Sequence, residues 1–262
     1  MKFFSLILLL IATTGSSQQL KKLRDIKLPT SVDRISVDRL GGFYTVNNCG
    51  IDKFSPEGKS EAKYHPRGCT DSELVEAWGY ARVFAYQKYK QHFIVFDPLM
   101  EVLDFKTIDP SLAVEPQLAT PAPDLNSFWV LDVDNSVKKF DAAIRTITLE
   151  MDTLKTIKNK FTFMREYQSM LFLLEPSTGI YVLNKLGQLI SIIDAKNINY
   201  FSFAGEDLYY LKGNAVYFMD IFSKDTYSVS VPSGYKFVVA TDERLILIKD
   251  GQGEVFAFTP RQ

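Results

Sequence analysis

The sequence has few of the residue patterns with which enzymes perform chemistry. It contains only 2 histidines among 262 residues, and neither His65 nor His92 has an acidic partner at the spacing of a known catalytic motif. The His-Glu-x-x-His pattern of zinc proteases is missing, as are the Gly-x-Ser-x-Gly turn of serine hydrolases and the glycine-rich loops that bind phosphates or dinucleotides. We therefore expect no catalytic residue, no cofactor and no metal site, and we expect the protein not to be an enzyme.

An excess of charge of one sign is also missing. The chain has 30 Lys and Arg residues against 31 Asp and Glu residues, a formal net charge of -1. A nucleic-acid binder needs a strongly basic face, so we expect no nucleic-acid partner. Beyond the N-terminus no apolar run reaches the roughly 18 residues of a membrane-spanning helix. We therefore expect no transmembrane segment in the mature chain.

The longest apolar stretch stands at the N-terminus. After a short positive start, residues 3–12 are almost all apolar, and the small residues 13–17 follow. This layout is typical of a secretory signal peptide and is too short to span a bilayer; a buried N-terminal strand is the alternative. We expect residues 1–18 to be removed, so that residues 19–262 form a single domain that is periplasmic or secreted. No cysteine follows the stretch, so we do not expect a lipoprotein.

A pattern that returns six times dominates the rest of the chain. Each unit is about 40 residues long and consists of four extended runs separated by polar turns, which is the mark of a β-propeller. The second runs are the most apolar, as expected for strands that neighbouring blades bury on both faces. These second runs are Gly42–Val46, Arg82–Tyr86, Phe128–Leu131, Leu171–Leu174, Leu208–Leu211 and Leu245–Ile248.

One strand is missing from the last unit. The sixth unit has no fourth run after Phe258, whereas an alternating segment, Leu23–Leu28, precedes the first unit. We predict that this segment becomes the outer strand of the sixth blade and closes the ring, which protects the blades from edge-to-edge pairing. The predicted fold is therefore an all-β, six-bladed β-propeller with four antiparallel strands per blade. An open solenoid and a two-sheet sandwich are the alternatives.

Strand-turn segments such as Ile51–Lys59 carry a family resemblance. Through them the chain resembles the broad set of six-bladed propellers of the NHL and related secreted types, over essentially all of the mature chain. The resemblance implies the fold, but propellers include enzymes and passive binders alike. Soluble propellers are known as parts of outer-membrane assembly and export machines, and the aromatic-rich, Lys/Asn-rich composition is similar to that of such an accessory. An accessory of a type 9 secretion translocon is one concrete candidate.

The two cysteines test this map of the blades. Cys49 falls in the turn between the second and third strands of the first blade, and Cys69 falls in the loop that leads to the second blade. In a propeller both kinds of loop lie on the same face. Because an oxidising compartment favours pairing, we predict a disulfide that pins the loop 64–73. Two independent thiols are the alternative.

One acidic run is similar to the start of a calcium loop. It reads Asp132-Val133-Asp134-Asn135-Ser136, but Val137 stands where a calcium loop has glycine, and no glutamate occupies the twelfth position. The run also lies between two predicted strands, where Asp and Asn are common because they favour turns. We therefore predict a hairpin turn.

Unequal loops are the best indication of where function lies. Turns inside the blades are short, whereas three connections between blades are long: 65–73, 109–115 with its continuation to 124, and 152–160. All three are expected on one face, and long ordered loops on a rigid scaffold are common binding sites. The candidate partner-binding residues are His65, Arg67, Asp71, Glu73, Asp109, Leu112, Glu115, Leu154, Lys155 and Lys158.

These observations predict a non-catalytic scaffold that binds a protein partner in the periplasm or at the outer membrane. One alternative is a lyase or hydrolase with a site at the channel mouth, where the first strands offer only Arg34, Glu76 and Arg165. Another is a binder of glycans or small ligands, which would need aromatic side chains at the loop tips. A polar pocket in the channel would favour the enzyme, and an exposed apolar patch would favour the scaffold.

Overall fold

Twenty-four strands in six four-stranded sheets make up the computed structural model. It describes residues 20–69, 72–79, 81–124, 126–141 and 145–260. The predicted signal peptide, residues 1–18, lies outside the described residues. Within them, no helix has the length and apolarity needed to span a membrane.

The strands follow one another in the order that the sequence predicts. Strand β1 (Lys21–Lys27) precedes the first blade. Blade I contains β2 (Arg34–Val37), β3 (Phe43–Asn47), β4 (Gly50–Phe54) and β5 (Ser60–Tyr64). Blade II contains β6 (Leu74–Glu76), β7 (Val83–Gln87), β8 (His92–Phe96) and β9 (Val102–Thr107), with a 3-10 helix at Lys88–Lys90. Blade III contains β10 (Leu118–Pro121), β11 (Ser127–Leu131), β12 (Val137–Asp141) and β13 (Thr146–Met151).

The remaining blades repeat the same plan. Blade IV contains β14 (Phe163–Tyr167), β15 (Met170–Glu175), β16 (Gly179–Asn184) and β17 (Leu189–Ile193). Blade V contains β18 (Phe201–Ala204), β19 (Asp207–Lys212), β20 (Ala215–Asp220) and β21 (Thr226–Ser230). Blade VI contains β22 (Phe237–Ala240), β23 (Arg244–Lys249), β24 (Gln252–Ala257) and the N-terminal β1. All strand pairs within the blades are antiparallel, so the predicted fold class is confirmed.

Burial follows the position of each strand in its blade. Every residue of the second strand β11 is buried, whereas the outer strand β13 alternates between exposed and part-buried residues up to the buried Met151 at its end. Neighbouring blades cover both faces of a second strand but leave the outer strand facing solvent. Continuous apolar runs therefore mark the second strands in the sequence, and alternating runs mark the outer ones.

Aromatic rings fill the space between blades II and III. The ring centroid of Phe128 lies 4.6 Å from that of Phe93, 5.8 Å from that of Phe84 and 5.6 Å from that of Phe140. These separations are in the range that favours stacked and edge-to-face pairs. The many phenylalanines of the sequence are thus used largely as packing between blades.

Strand β1 closes the ring. It pairs antiparallel with β24, from Lys21 opposite Ala257 to Lys27 opposite Gln252. The first strand of the described chain therefore lies beside the last one, and the predicted closure by the N-terminal segment is confirmed. The sheet of blade VI reaches four strands only because β1 joins it, whereas each of the other five sheets consists of four consecutive strands.

Ile26 is the buried anchor of this closure. Its side chain is 8% exposed, and it lies opposite Gly253 in the register of the two strands. A Cβ atom at Gly253 would lie 2.7 Å from Ile26, and one at Gly58 of blade I would lie 2.6 Å from it. The two glycines leave room for the isoleucine, which therefore packs between the closing strand and the neighbouring blade. Leu23, on the same strand, is 49% exposed.

We expect Ile26→Ala to destabilise the whole ring. Removing a buried isoleucine side chain costs about 2–5 kcal/mol, and here the loss falls on the strand pair that closes the propeller. Urea unfolding would measure the change in the free energy of unfolding. Leu23→Ala is the matched control, because an exposed leucine on the same strand should change stability by about 0.5 kcal/mol or less. Equal effects of the two variants would contradict the role given to Ile26.

Candidate functional site

The two faces of the ring carry different loops. Each connection from an outer strand to the next inner strand lies on the same face as the turns between second and third strands. We call this the loop face, and the opposite one the turn face. The three longest connections, β5 to β6, β9 to β10 and β13 to β14, all lie on the loop face. They join blades I to IV in succession, so they are neighbours along the ring.

A disulfide holds the first of these loops. Cys49, in the β3–β4 turn, is bonded to Cys69, in the β5–β6 connection, and their Cα atoms are 4.0 Å apart. The structure thus contains the predicted bridge between two loops of one face. Arg67 is exposed within the bridged loop. Asp71, another candidate partner-binding residue, lies outside the described residues.

Polar side-chain contacts hold the two ends of the first loop. His65 Nε2 lies 3.0 Å from a carboxylate oxygen of Asp52. The carboxylate of Glu73 lies 3.6 Å from Arg34 and 3.8 Å from Lys160, which belongs to the third long loop. Part-exposed pairs of this kind contribute about 0–1 kcal/mol each. Their effect is therefore to position the loops relative to one another more than to stabilise the fold.

The carboxylate of Asp132 fixes the second loop. Its Oδ2 accepts a hydrogen bond of 2.8 Å from the backbone N–H of Val114, and its Oδ1 accepts one of 2.7 Å from that of Glu115. The ammonium of Lys138 lies 3.1 Å from the same carboxylate. Burial alone would raise the pKa of Asp132, but the N–H groups of Glu115, Val114 and Val133 and the Lys138 ammonium outweigh it and lower that pKa.

The turn that contains Asp132 also fixes the third loop. Asn135, at a positive φ of 60°, donates from its side-chain amide to the backbone carbonyl of Ile157 at 2.6 Å. The ammonium of Lys155 lies 3.0 Å from Asp134 and 2.9 Å from Asp152. The run that is similar to a calcium loop is therefore a hairpin turn, as predicted. It also joins the second and third loops, which sequence reasoning missed.

Two candidate partner-binding residues face the core instead of the surface. Leu112 is 9% exposed and Leu154 is 1% exposed, and both belong to the main apolar core. Each anchors its loop by burying an apolar side chain under it, so neither offers side-chain surface to a partner. The charged candidates that remain exposed on the second and third loops are Asp109, Glu115, Lys155 and Lys158.

A funnel of about 650 Å³ with a mixed polar and apolar lining opens at the centre of the loop face. Arg34 and Glu73 lie on its wall next to blade II, and Asn197, Asn199 and Lys236 come from blades V and VI. The last three were not found from the sequence, because they lie in short connections without a recognisable motif. The funnel leads from the long loops toward the start of the inner strands.

A buried ion pair closes the channel below the funnel. Arg165 is 1% exposed, and its Nε and Nη2 donate to the two carboxylate oxygens of Glu76 at 2.7 and 3.0 Å. Its Nη1 donates to Ser202 Oγ at 2.9 Å, and Nη2 donates to Tyr200 Oη at 3.3 Å. Burial disfavours the charged guanidinium, but the charge of Glu76 outweighs it, so the pKa of Arg165 is raised.

The pair belongs to a ring of equivalent positions on the six inner strands. Each of these residues pairs with an interior residue of the second strand of its blade. The six residues are Ser36, Glu76, Thr120, Arg165, Ser202 and Val239. The structure therefore brings Glu76 and Arg165 together, as the enzyme alternative requires, but leaves Arg34 apart from them at the funnel. Glu76 makes one more hydrogen bond: its Oε1 also accepts from the backbone N–H of Trp78 at 2.7 Å.

These features define a six-bladed propeller with a closed channel and one face of braced loops. No family model matches the sequence, and no curated protein matches it either. Among solved structures, BamB from Moraxella catarrhalis is similar in fold, with a TM-score of 0.50 and 8% sequence identity. The alignment covers 92% of this chain and 100% of that chain. At such low identity the similarity concerns the fold alone, and it supports the propeller architecture.

We expect removal of either partner of the channel pair to be strongly destabilising. Arg165→Met leaves the carboxylate of Glu76 buried without its cation, which costs about 3–5 kcal/mol. Combining it with Glu76→Leu should recover most of this loss, because no charge is then left buried. Denaturant unfolding would measure both, with Arg67→Met as the control at an exposed position. A double variant as unstable as the single one would contradict this account.

Acid should release the second loop through Asp132. Because the pKa of Asp132 is lower in the folded protein than in the unfolded chain, its contribution to stability is complete above pH ~4. That contribution is lost as the pH falls through the lowered pKa of the folded state. Asp132→Asn should remove this part of the acid dependence and speed hydrogen exchange at Val114 and Glu115. Asp242→Asn, at an exposed position, is the control and should leave both measurements unchanged.

Proposed function

We propose that this protein is a non-catalytic propeller that binds a protein partner through its loop face. One observation carries the proposal: three adjacent loops are each fixed to the scaffold while their charged tips stay exposed. The fixing contacts are the Cys49–Cys69 disulfide, the carboxylate of Asp132 and the amide of Asn135. A surface that is already ordered loses little conformational entropy on binding, which favours a stable complex.

An apolar outer strand supports the same class of function. Strand β17 carries no charged residue, and Leu189, Ile190 and Ile192 are 41%, 51% and 44% exposed. Among the described strands, none pairs with its outer edge. Exposed apolar edges pair readily with other chains, and an exposed apolar patch is typical of protein-binding surfaces.

The channel supports the scaffold over the enzyme alternative. A general acid or base must reach the proton that it transfers and must be free to change its protonation state. Glu76 and Arg165 bind each other through two hydrogen bonds and are buried. Neither is available for proton transfer to a substrate in the funnel.

We place this function in the periplasm or at the cell surface, after loss of residues 1–18. The disulfide supports an oxidising compartment, because such bridges persist outside the reducing cytosol. The finer assignment is an accessory subunit of an outer-membrane protein export or assembly complex, with the type 9 secretion translocon as the concrete candidate. It rests on the resemblance to secreted propellers of the NHL type and to such accessories.

Site-specific photo-crosslinking of the full-length protein in the cells that produce it tests the proposal. A crosslinking residue at Lys158 on the loop face should form a discrete adduct with a partner that mass spectrometry identifies. A residue at Ile190 tests the edge of β17, and one at the exposed Lys63 of blade I is the matched control. Identification of an envelope export subunit would support the finer assignment. Absence of adducts at both test positions, with purification of the monomer alone, would overturn the scaffold.

A further inference from the structure

A second concave site lies at the opposite end of the channel. It is a cleft of about 350 Å³ on the turn face, which we call the turn-face cleft. Arg39 and Arg82 lie on its rim, Trp78 forms one wall, and the buried Arg165 lies at its floor. Its volume is in the range of small-molecule sites. The closed channel separates this cleft from the funnel and loops of the other face.

The acidic residues of this cleft are already neutralised. Glu76 is bound by Arg165 through two hydrogen bonds. Glu166 lies 3.3 Å from the ammonium of Lys139 and accepts from Trp129 Nε1 at 2.5 Å. Both carboxylates therefore have a cation of their own, and neither is left to offset further positive charge at the rim.

The two rim arginines have no such partner. Arg39 and Arg82 are exposed, and in the part of the chain that the structure describes neither guanidinium has a hydrogen bond or an ion pair. The turn-face cleft thus presents two uncompensated positive charges in a concave, partly apolar setting. Clefts lined by charge of one sign concentrate ligands of the opposite sign, and the guanidinium fork matches the oxygens of carboxylate and phosphate groups.

The rest of the wall is apolar. Trp78 packs edge-on against Tyr167 at 5.3 Å between ring centroids, and its ring lies 5.5 Å from the guanidinium carbon of Arg165. Pro121 and Pro123 line the same cleft with Ala122 between them. These groups offer a preformed surface to an apolar or aromatic body. Because they are already ordered, they lose little conformational entropy on binding.

We propose that the turn-face cleft binds a small organic anion, a carboxylate or phosphate group joined to an apolar or aromatic body. Arg39 and Arg82 hold the oxyanion, and Trp78 with the neighbouring prolines contacts the body. The site is independent of the proposed loop-face function, because it uses the opposite face. Residues 122–124, expected from the sequence to continue the second long loop, lie instead in the turn after β10 on the turn face.

Isothermal titration of the intact mature protein tests this site with defined probes. Phenyl phosphate and phenylacetate supply the two kinds of anion on one aromatic body, benzyl alcohol is the neutral analogue, and inorganic phosphate lacks the body. At least one aromatic anion should bind with a Kd of about 1 mM or less. It should bind more tightly than benzyl alcohol or inorganic phosphate, each of which lacks one of the two parts. Comparison of phenyl phosphate with phenylacetate shows which oxyanion the site prefers.

Variants at the rim separate the site from non-specific binding. Arg39→Gln and Arg82→Gln should each weaken binding roughly tenfold or more, the effect of losing one charge-assisted hydrogen bond. Trp78→Phe should weaken binding less, because an aromatic ring remains. Arg67→Gln, on the loop face, should leave the affinity unchanged. Equal binding of benzyl alcohol, or an unchanged affinity in both rim variants with intact folding, would overturn the proposal.

Discussion

One guanidinium lies at the centre of this propeller and connects four of its blades. Arg165 of blade IV contacts Glu76 of blade II and Ser202 of blade V, and its Nη2 lies 3.4 Å from Ser36 Oγ of blade I. A charge in this position is tolerated only because the facing carboxylate and hydroxyls satisfy it. The relative placement of the blades is thus tied to one hydrogen-bond network, and the funnel and the cleft exist as separate spaces because that network stands between them.

On the loop face, too, a single structural element fixes more than one part of the molecule. The hairpin turn between β11 and β12 supplies Asp132 to the second loop and Asn135 to the third. Glu73 of the first loop and Lys160 of the third lie 3.8 Å apart. The three connections are therefore coupled to one another through side chains, and a partner that contacts one of them would meet a surface whose other parts are already in place.

Periodicity in the sequence was enough to predict the strands, because burial between blades leaves long apolar runs in the second strands. The closing strand was predictable because the sixth unit has three extended runs instead of four. The disulfide was predictable from the positions of Cys49 and Cys69 relative to the blades. The sequence placed Glu76 and Arg165 on inner strands, but their pairing was not predictable, because they are 89 residues apart and no local pattern links them. The burial of Leu112 and Leu154 was not predictable either, because loop position suggests exposure, whereas a long ordered loop needs an apolar anchor below it.

The exchange of strands in blade VI also sets the order in which the molecule can be built. Its sheet combines β1, near the start of the chain, with β22, β23 and β24 at the end. Blades I to V are continuous in sequence and can form from local contacts, whereas this sheet requires the ends of more than 200 residues to meet, which is entropically costly and slow. Until the C-terminal strands have been synthesised, β1 has no partner and the ring stays open. Closure of the ring therefore comes only after β24 has been made, whatever the order in which blades I to V form.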